Sequence, residues 1–591
     1  MLSRRLAGKK GRRSTPILGR WVGLETEYAV RNGLPGMPSS NRRIFEEMRT
    51  ILRSWIATRP SRGMREKEGL FMQNGGAVCY EHLPHAADGG LIEGATPECS
   101  GPSQLLLYQK AQDRLLSRCI AELESRHRYS IGLPPVEKAG DAGLGLLKNC
   151  RDADGNRYGA QENYETQIAD GLSLWLYRCG LFVLSGWVLL WTITALLLTV
   201  VLVVGLIAGL LLHGLIYALV PPVRKWSFFS FWATEGMDEE SFGKLSLYLS
   251  YSLCYPIAAP HLCLLQAFGF RQARREMTPF LVSRPILSGT GTVEPDGRFG
   301  LSEKGPVIKG VMRWTLAPKD RCIFDPGNLV KMLLRGLDLR RLHLGQAFGR
   351  RQRMQLGLSD SNMAQTAEFL KVGTTSLILD MMEDGFLHDG PRLKEPVKAL
   401  HDIVADPSLK VQVELKDGRK LSALELQRWY LERATEYLKE ASAPSMEAFQ
   451  VVRMWRESLE LLEQGRFDAL VGRLDWVTKR ALLEQCGGTG EQDVLKTLDL
   501  RYHELGNGYY NQLERQGLAP ILVSEEEAEQ AIQTPPENSP AKLRGQWIRR
   551  HHGSPVNMEV SWDSVHLGSR LRPKVVPFRA PRSKPEPVDK H

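Results

Sequence analysis

The stretch Trp21-Val22-Gly23-Leu24-Glu25-Thr26-Glu27-Tyr28-Ala29-Val30 decides the fold. It is rich in aromatic and β-branched residues, so it reads as a strand. Side chains alternate across a strand, which places Glu25 and Glu27 on one face. Two carboxylates crowded on one face raise each other's pKa unless a cation lies between them. Hard oxygen ligands of this kind suit Mg²⁺, and a protein-held Mg²⁺ usually also holds substrate phosphates. Taken alone, the segment also fits a solvated strand face that carries two acids.

Further carboxylates lie downstream. Asn74-Gly75 is a hairpin-turn dipeptide, followed by the short apolar run Ala77 to Tyr80 and then Glu81. Next comes Glu93-Gly94-Ala95-Thr96-Pro97-Glu98-Cys99. Leu147-Lys148-Asn149-Cys150, a turn at Asp154-Gly155 and Tyr158-Gly159-Ala160-Gln161-Glu162-Asn163-Tyr164 complete the set. Several turn-bounded strands, each with an acid near its end, can line one sheet with carboxylates that hold Mg²⁺ and the phosphates of ATP.

In this order the strings resemble the Pup ligase and depupylase (PafA/Dop) family of carboxylate–amine ligases, related in fold to glutamine synthetase. The likeness continues through Phe280-Leu281-Val282-Ser283-Arg284-Pro285, Asp360-Ser361-Asn362-Met363, Leu370 to Thr375, Leu426 to Tyr430, Leu474 to Lys479, Leu498 to His503 and Leu543-Arg544-Gly545. The resemblance implies an α+β fold with a large antiparallel sheet flanked by helices, and a small, mostly helical C-terminal domain. It implies that ATP phosphorylates the terminal glutamate of a Pup-like modifier and that a lysine of a protein substrate then attacks; depupylases hydrolyse the bond so formed. By resemblance, Glu25, Glu27 and Glu93 are metal ligands, Tyr80 lines the same site, Glu81 stands where the family has its catalytic aspartate, and Arg284 contacts phosphate.

Four departures from the family pattern stand out. The catalytic aspartate position reads Glu81, and the linker from Glu81 to Glu93 is longer, with Pro84, Gly89 and Gly90 suggesting a bulged loop. The histidine of the H-E-N-Y string reads Gln161. In place of the segment N-T-R-D-E-P-H-A-D stand Phe324-Asp325-Pro326-Gly327-Asn328 and a basic, helix-like stretch, Leu329 to Arg353, carrying Arg335, Arg340, Arg341, Arg350, Arg351 and Arg353. These arginines can supply cations from new positions or form a solvated helix face. The short interval from Glu27 to Asn74 favours a ligase, Ser283 is closer to the depupylases, and a scaffold that keeps the fold without turnover also fits.

An apolar insertion is the second unusual feature. From Cys179 to Val223 the chain has no Asp, Glu, Lys or Arg, and about 20 such residues cross a bilayer. A second uncharged run, Leu245 to Phe270, contains Pro256 and Pro260 and ends at Arg271, Arg274 and Arg275. Motifs on both sides of the insertion must meet in one site, so the number of crossings is even. A helical hairpin turning near Gly205 to Gly209 is the preferred path; a single crossing with Leu245 to Phe270 returning is the other. Flanking arginines place the catalytic side in the cytoplasm.

The expected organisation is a basic arm (1–20), a catalytic domain (21–170 and 279–440), a membrane insertion (171–278), a C-terminal domain (441–572) and a disordered tail (573–591). The chain's 591 residues accommodate this plan. Its nine cysteines form no C-x-x-C pair, which points to a reducing compartment and away from zinc. The net charge of +10 suits anionic lipid or an acidic partner. No nucleic-acid module, Walker loop or repeat is recognisable, so nucleic acid is not an expected partner.

Overall fold

The computed structural model describes residues 16–62, 67–83, 86–136, 143–152, 156–219, 255–256, 258–294, 296–313, 321–325, 348–441, 444–485, 492–569 and 573–578. One sheet of eleven strands dominates it. In chain order these are β1 (Trp21–Asn32), β2 (Thr58–Pro60), β3 (Lys67–Met72), β4 (Ala77–Leu83), β5 (Ala86–Ala95), β6 (Cys99–Ser100), β7 (Leu144–Leu147), β8 (Gln161–Gln167), β9 (Ile308–Met312), β10 (Arg321–Asp325) and β11 (Arg351–Leu356). Across the sheet the order is β9-β10-β11-β8-β1-β5-β4-β3-β2, with β6 and β7 also paired to β1. Pairing is antiparallel throughout except at one edge, where β9 and β10 run parallel.

The alternation anticipated in β1 holds along its length. Val22, Leu24, Thr26 and Tyr28 are buried, while Gly23, Glu25 and Glu27 stay half-buried on the other face. Helices α1 (Asn41–Trp55) and α2 (Pro102–Ser130) cover the buried face. The Tyr28 hydroxyl donates to Asp113 of α2 at 2.7 Å and accepts from Gln112 at 2.9 Å and Gln109 at 3.2 Å. Tyr28→Phe leaves Asp113 and both amides short of a partner in the core. It is expected to cost about 1–3 kcal/mol, read as a lower urea midpoint with an unchanged m-value.

The Asn74-Gly75 turn closes the β3–β4 hairpin. Gly75 has φ +86°, which favours glycine, and the Asn74 side chain accepts from the Gly76 N–H at 3.0 Å.

Several expected boundaries shift. Residues 1–15 lie outside the described part, but Ile17, Leu18 and Arg20 are buried, so the arm ends before them. Arg20 pairs with Asp380 at 2.5 Å and with Glu383 at 3.3 Å. The tail also starts later than expected, because Lys574–Pro577 pairs with Ser564–Leu567 as a strand. One hydrophobic cluster runs from Ile17 to Ile532, so the helices after residue 441 share the catalytic core.

The apolar insertion forms a continuous helix, α3 (Gly171–Leu219), straight through Gly205 and Gly209. The expected hairpin turn there is overturned: a run of leucine, valine and alanine keeps intrahelical hydrogen bonds through isolated glycines. The lower end of α3 packs on α4 (Ala258–Phe268) through Tyr177, Leu181, Leu262 and Leu265. Beyond Trp187 its apolar side chains are largely exposed, as at Leu197, Leu202 and Leu211. Residues 220–254 and 257 lie outside the described part, and with them the first ten residues of the proposed returning run.

Candidate active site

The antiparallel register assembles an acidic cluster on the face of the sheet opposite α1 and α2. Glu27 of β1 lies directly across from Glu93 of β5. Glu93 in turn faces Cys79 of β4, which brings Glu81, two residues on, to the same face. Carboxylate oxygens of Glu27, Glu81 and Glu93 lie within 4.8 Å of one another. Glu25 shares the face but is drawn toward β11, where Arg353 approaches it at 3.3 Å and Gln355 at 3.5 Å. The triad that converges is therefore Glu27, Glu81 and Glu93, with Glu25 beside it.

The electrostatics fit a divalent cation. The Glu27 carboxyl is held above the ordinary carboxylate range, first by burial and then by the Glu81 charge, against the opposing pull of Lys304, the Gly159 N–H and Arg321. Three hard oxygen donors that repel one another match Mg²⁺ better than any softer ion. No soft sulfur or imidazole donor belongs to the cluster.

A cationic frame stands behind Glu27. The Gly159 N–H donates to its carboxylate at 2.7 Å. Gly159 has φ +111°, and a Cβ there would meet the Cys150 thiol at 2.2 Å. Lys304 is fully buried and donates to the Ala160 carbonyl, so it fixes the same loop. Burial holds its pKa below the ordinary lysine value. Arg321 secures the loop from the other side through the Arg157 carbonyl.

Two residues expected in the site lie elsewhere. Tyr80 precedes Glu81 by one position, so it points through the sheet to the covered face. It is 1% exposed, its ring centroid is 5.9 Å from that of Phe45, and its hydroxyl accepts from the Gly90 N–H at 2.9 Å. Arg284 lies among helices: the strand-like run before it is the short helix α5 (Thr278–Ser283). Its guanidinium donates to both oxygens of Glu162 at 2.7 and 2.8 Å, to Thr375 at 2.7 Å and to the Leu358 carbonyl at 2.8 Å. Those contacts lie in the core, so Arg284 is a structural cation here.

The later motifs meet in a second buried polar network. Asp360 accepts from the backbone N–H groups of Thr290, Glu303 and Lys304 at 3.0–3.1 Å. Lys479 donates to Asp499 at 2.7 Å and to Glu303 at 3.3 Å, and His503 lies 3.1 Å from Glu303. Asp475 accepts from the N–H groups of Met363 and Ala364 at the start of α6 (Gln365–Glu383). The network thus ties the C-terminal helices to the Glu303-Lys304 turn that supports Glu27.

The sequence profile of the family described as Pup-ligase protein matches residues 20–566. The chain belongs to the Pup-ligase protein family. Over 584 residues it is 26% identical to the Pup–protein ligase of Acidimicrobium ferrooxidans, covering 97% of this chain and 99% of that one. Over 300 residues it is 35% identical to the Pup deamidase/depupylase of Mycolicibacterium smegmatis, covering 49% of this chain and 56% of that one. In fold it matches the crystal structure of the complex between Pup and its ligase PafA, with TM-score 0.62, 21% identity and 96% and 91% of the two chains covered. PafA in complex with ADP gives TM-score 0.57 and 21% identity, with 93% of each chain covered.

Within this Pup-ligase protein, Gln161 lies opposite Glu25 and bonds Gln355 of β11. Arg351 and Arg353 belong to strand β11 rather than to the expected helix. Arg350 also falls in the described part; Arg335, Arg340 and Arg341 lie outside it. Lys304 and Arg321 were not anticipated. The signal for Lys304 was a charged Glu-Lys pair between Leu301 and Val307, in a segment where buried apolar neighbours leave a lysine little room to reach solvent.

The raised Glu27 pKa carries a sign. A carboxylate whose folded pKa exceeds its unfolded value contributes stability at acid pH, lost as pH rises through the folded value. A bound Mg²⁺ would take the place of that proton. We expect MgCl₂ to raise the melting temperature at pH 7.5 and to raise it much less at pH 5, with Glu27→Gln abolishing the difference. Thermal denaturation with and without the ion checks this.

Proposed function

We propose that this chain is an ATP-dependent Pup-ligase-like enzyme held in a membrane. The observation that carries this reading is the Glu27–Glu81–Glu93 cluster on the open face of the sheet, in a chain that aligns end to end with a Pup–protein ligase. Glu27 and Glu93 would hold Mg²⁺, which when bound neutralises nucleotide phosphates. The γ-phosphoryl group passes to the side-chain carboxylate of the modifier's terminal glutamate. A substrate lysine then attacks that carbonyl: the amide C–N bond forms, the C–O bond breaks and phosphate leaves. Glu81, the half-buried third member of the cluster, is placed to take the proton from the amine. Arg353, 59% exposed beside Glu25, adds a cation on the same face.

A depupylase is the second reading, favoured by the higher identity to the depupylase over half of the chain. Full coverage of the ligase favours conjugation. The full-length chain in detergent, given ATP, MgCl₂ and Pup, is expected to form an isopeptide with an acceptor protein; removal of Pup from a preformed conjugate without any forward product would select the depupylase instead.

Membrane anchoring is supported by α3. Its span Gly171–Leu212 is long and apolar enough to cross a bilayer, and beyond Leu184 none of its described side chains is buried. From Trp187 to Leu219 it extends about 50 Å at 1.5 Å per residue, against about 40–45 Å for a whole bilayer. Thr192, Thr194 and Thr199 donate their hydroxyls to the carbonyls four residues back, so these three donors are satisfied within the helix. Trp187 donates to the Pro256 carbonyl at 2.8 Å, so the chain leaves and re-enters at one level. Arg178, Arg271, Arg274 and Arg275 on that side favour the cytoplasm. Retention in the membrane pellet after an alkaline carbonate wash is the expected result; release into the supernatant would refute the anchor.

A further inference from the structure

The junction between the catalytic sheet and α3 is rigid. Strand β8, which carries Gln161 opposite Glu25, ends at Gln167, and α3 starts at Gly171. The intervening residues are fastened on both sides. The Ile168 N–H donates to the Arg350 carbonyl at 2.9 Å, and its own carbonyl accepts from the Phe270 N–H at 2.6 Å. Asp170 pairs with Arg350 at 3.1 Å. The base of the helix is clamped as well. Arg178 donates to the Phe348 carbonyl at 2.9 Å, and Tyr177 and Leu181 pack with Ile168 and Met312. A Cβ on Gly180 would meet Leu264 at 2.3 Å, so α3 and α4 are in close contact.

A flexible tether would let the catalytic face sample any height above the bilayer. This clamp does not. The path from Gln161 to Trp187 consists of about 20 Å of strand, at most about 13 Å of linker and about 24 Å of helix. The acidic face therefore lies no more than about 60 Å from the membrane boundary set by Trp187.

Resting on the ligase reading and on the membrane placement of α3, we propose that the enzyme selects acceptor lysines by their height above the membrane. Its substrate class is lysines of membrane-attached proteins presented within about 60 Å of the cytoplasmic bilayer surface. The bilayer is the occupant of the exposed part of α3, because that apolar length matches a membrane and the helix base is already covered by α4.

The test uses full-length chain reconstituted in liposomes, first shown to float with them. Three acceptors carry the same lysine domain: one soluble, one lipid-tethered with the lysine about 40 Å above the surface, and one tethered about 120 Å above it on rigid helical spacers. At equal surface density the near acceptor is expected to be conjugated at least 10-fold faster than the far one. A variant with 40-residue Gly/Ser linkers in both connections, between Asp170 and Gly171 and between Phe268 and Gly269, each with an r.m.s. span of about 35 Å, is expected to shrink that ratio and leave the soluble rate unchanged. Equal rates on near and far acceptors would overturn height selection and leave the ligase reading standing, as would conjugation of the soluble acceptor alone. No conjugation of any acceptor would overturn both. A chain that fails to float would overturn the proposal at its base.

Discussion

Glu81→Gln is expected to lower ATP-dependent conjugation by about 10²–10⁴-fold, the range a positioned base supplies. Glu81 is half-buried at the rim of the cluster, so the neutral amide fits without repacking. It removes the proton acceptor and also one of the three charges that press on each other. Two readouts separate these roles. If Glu81 acts mainly as base, Mn²⁺ affinity falls little while single-turnover conjugation collapses. If it acts mainly as a ligand, affinity falls in step with rate. Glu81→Asp keeps the charge but withdraws it by one methylene from Glu27 and Glu93. A loss of up to about 10²-fold is expected, because small misplacements of reacting groups are costly.

Arg284→Met is expected to destabilise the protein by about 3–5 kcal/mol, because it leaves Glu162 charged and unpaired in the core. Glu162 is completely buried, and the Arg284 charge holds its pKa below the usual range in spite of that burial. Below that range the glutamate takes up a proton and the pair weakens, so the contribution of this contact is present near neutrality and lost as pH falls through the folded pKa of Glu162. The double variant Arg284→Met with Glu162→Leu removes both charges and is expected to recover much of the loss. Urea denaturation of the three variants checks the account. A phosphate-binding Arg284 would behave oppositely: nucleotide affinity would fall with little change in unfolding midpoint.

The residues that were legible in the sequence share a reason. In β1 the period-two alternation of Val22, Leu24, Thr26 and Tyr28 against Glu25 and Glu27 states both the strand and its buried face. The Asn74-Gly75 turn is likewise a local signal. What was missed depends on contacts distant in sequence. Alternation alone should have separated Tyr80 from Glu81, but a shared family string grouped them. Arg284 followed a run of only three apolar residues, Phe280-Leu281-Val282, and Ser283, too few to distinguish a buried helix turn from a strand; Pro279 near the helix start was the signal for a helix. Glu25 and Glu81 exchanged places in the cluster because cross-strand register, which sequence spacing does not give, decides which acids face each other. The length of the apolar run suggested two spans, whereas the structure uses its first turns to dock on α4 and leaves one membrane-length segment.

The central claim is that Glu27, Glu81 and Glu93 gather one nucleotide-bearing divalent ion on the open face of the sheet. Anomalous diffraction from crystals grown with Mn²⁺ and ADP tests it most directly. The expected result is a manganese peak in contact with Glu27, Glu93 and the nucleotide phosphates, with the Glu81 carboxylate beside it. A peak held by Glu25 and Arg353's neighbours instead, or ordered nucleotide with no metal among those three side chains, would contradict it.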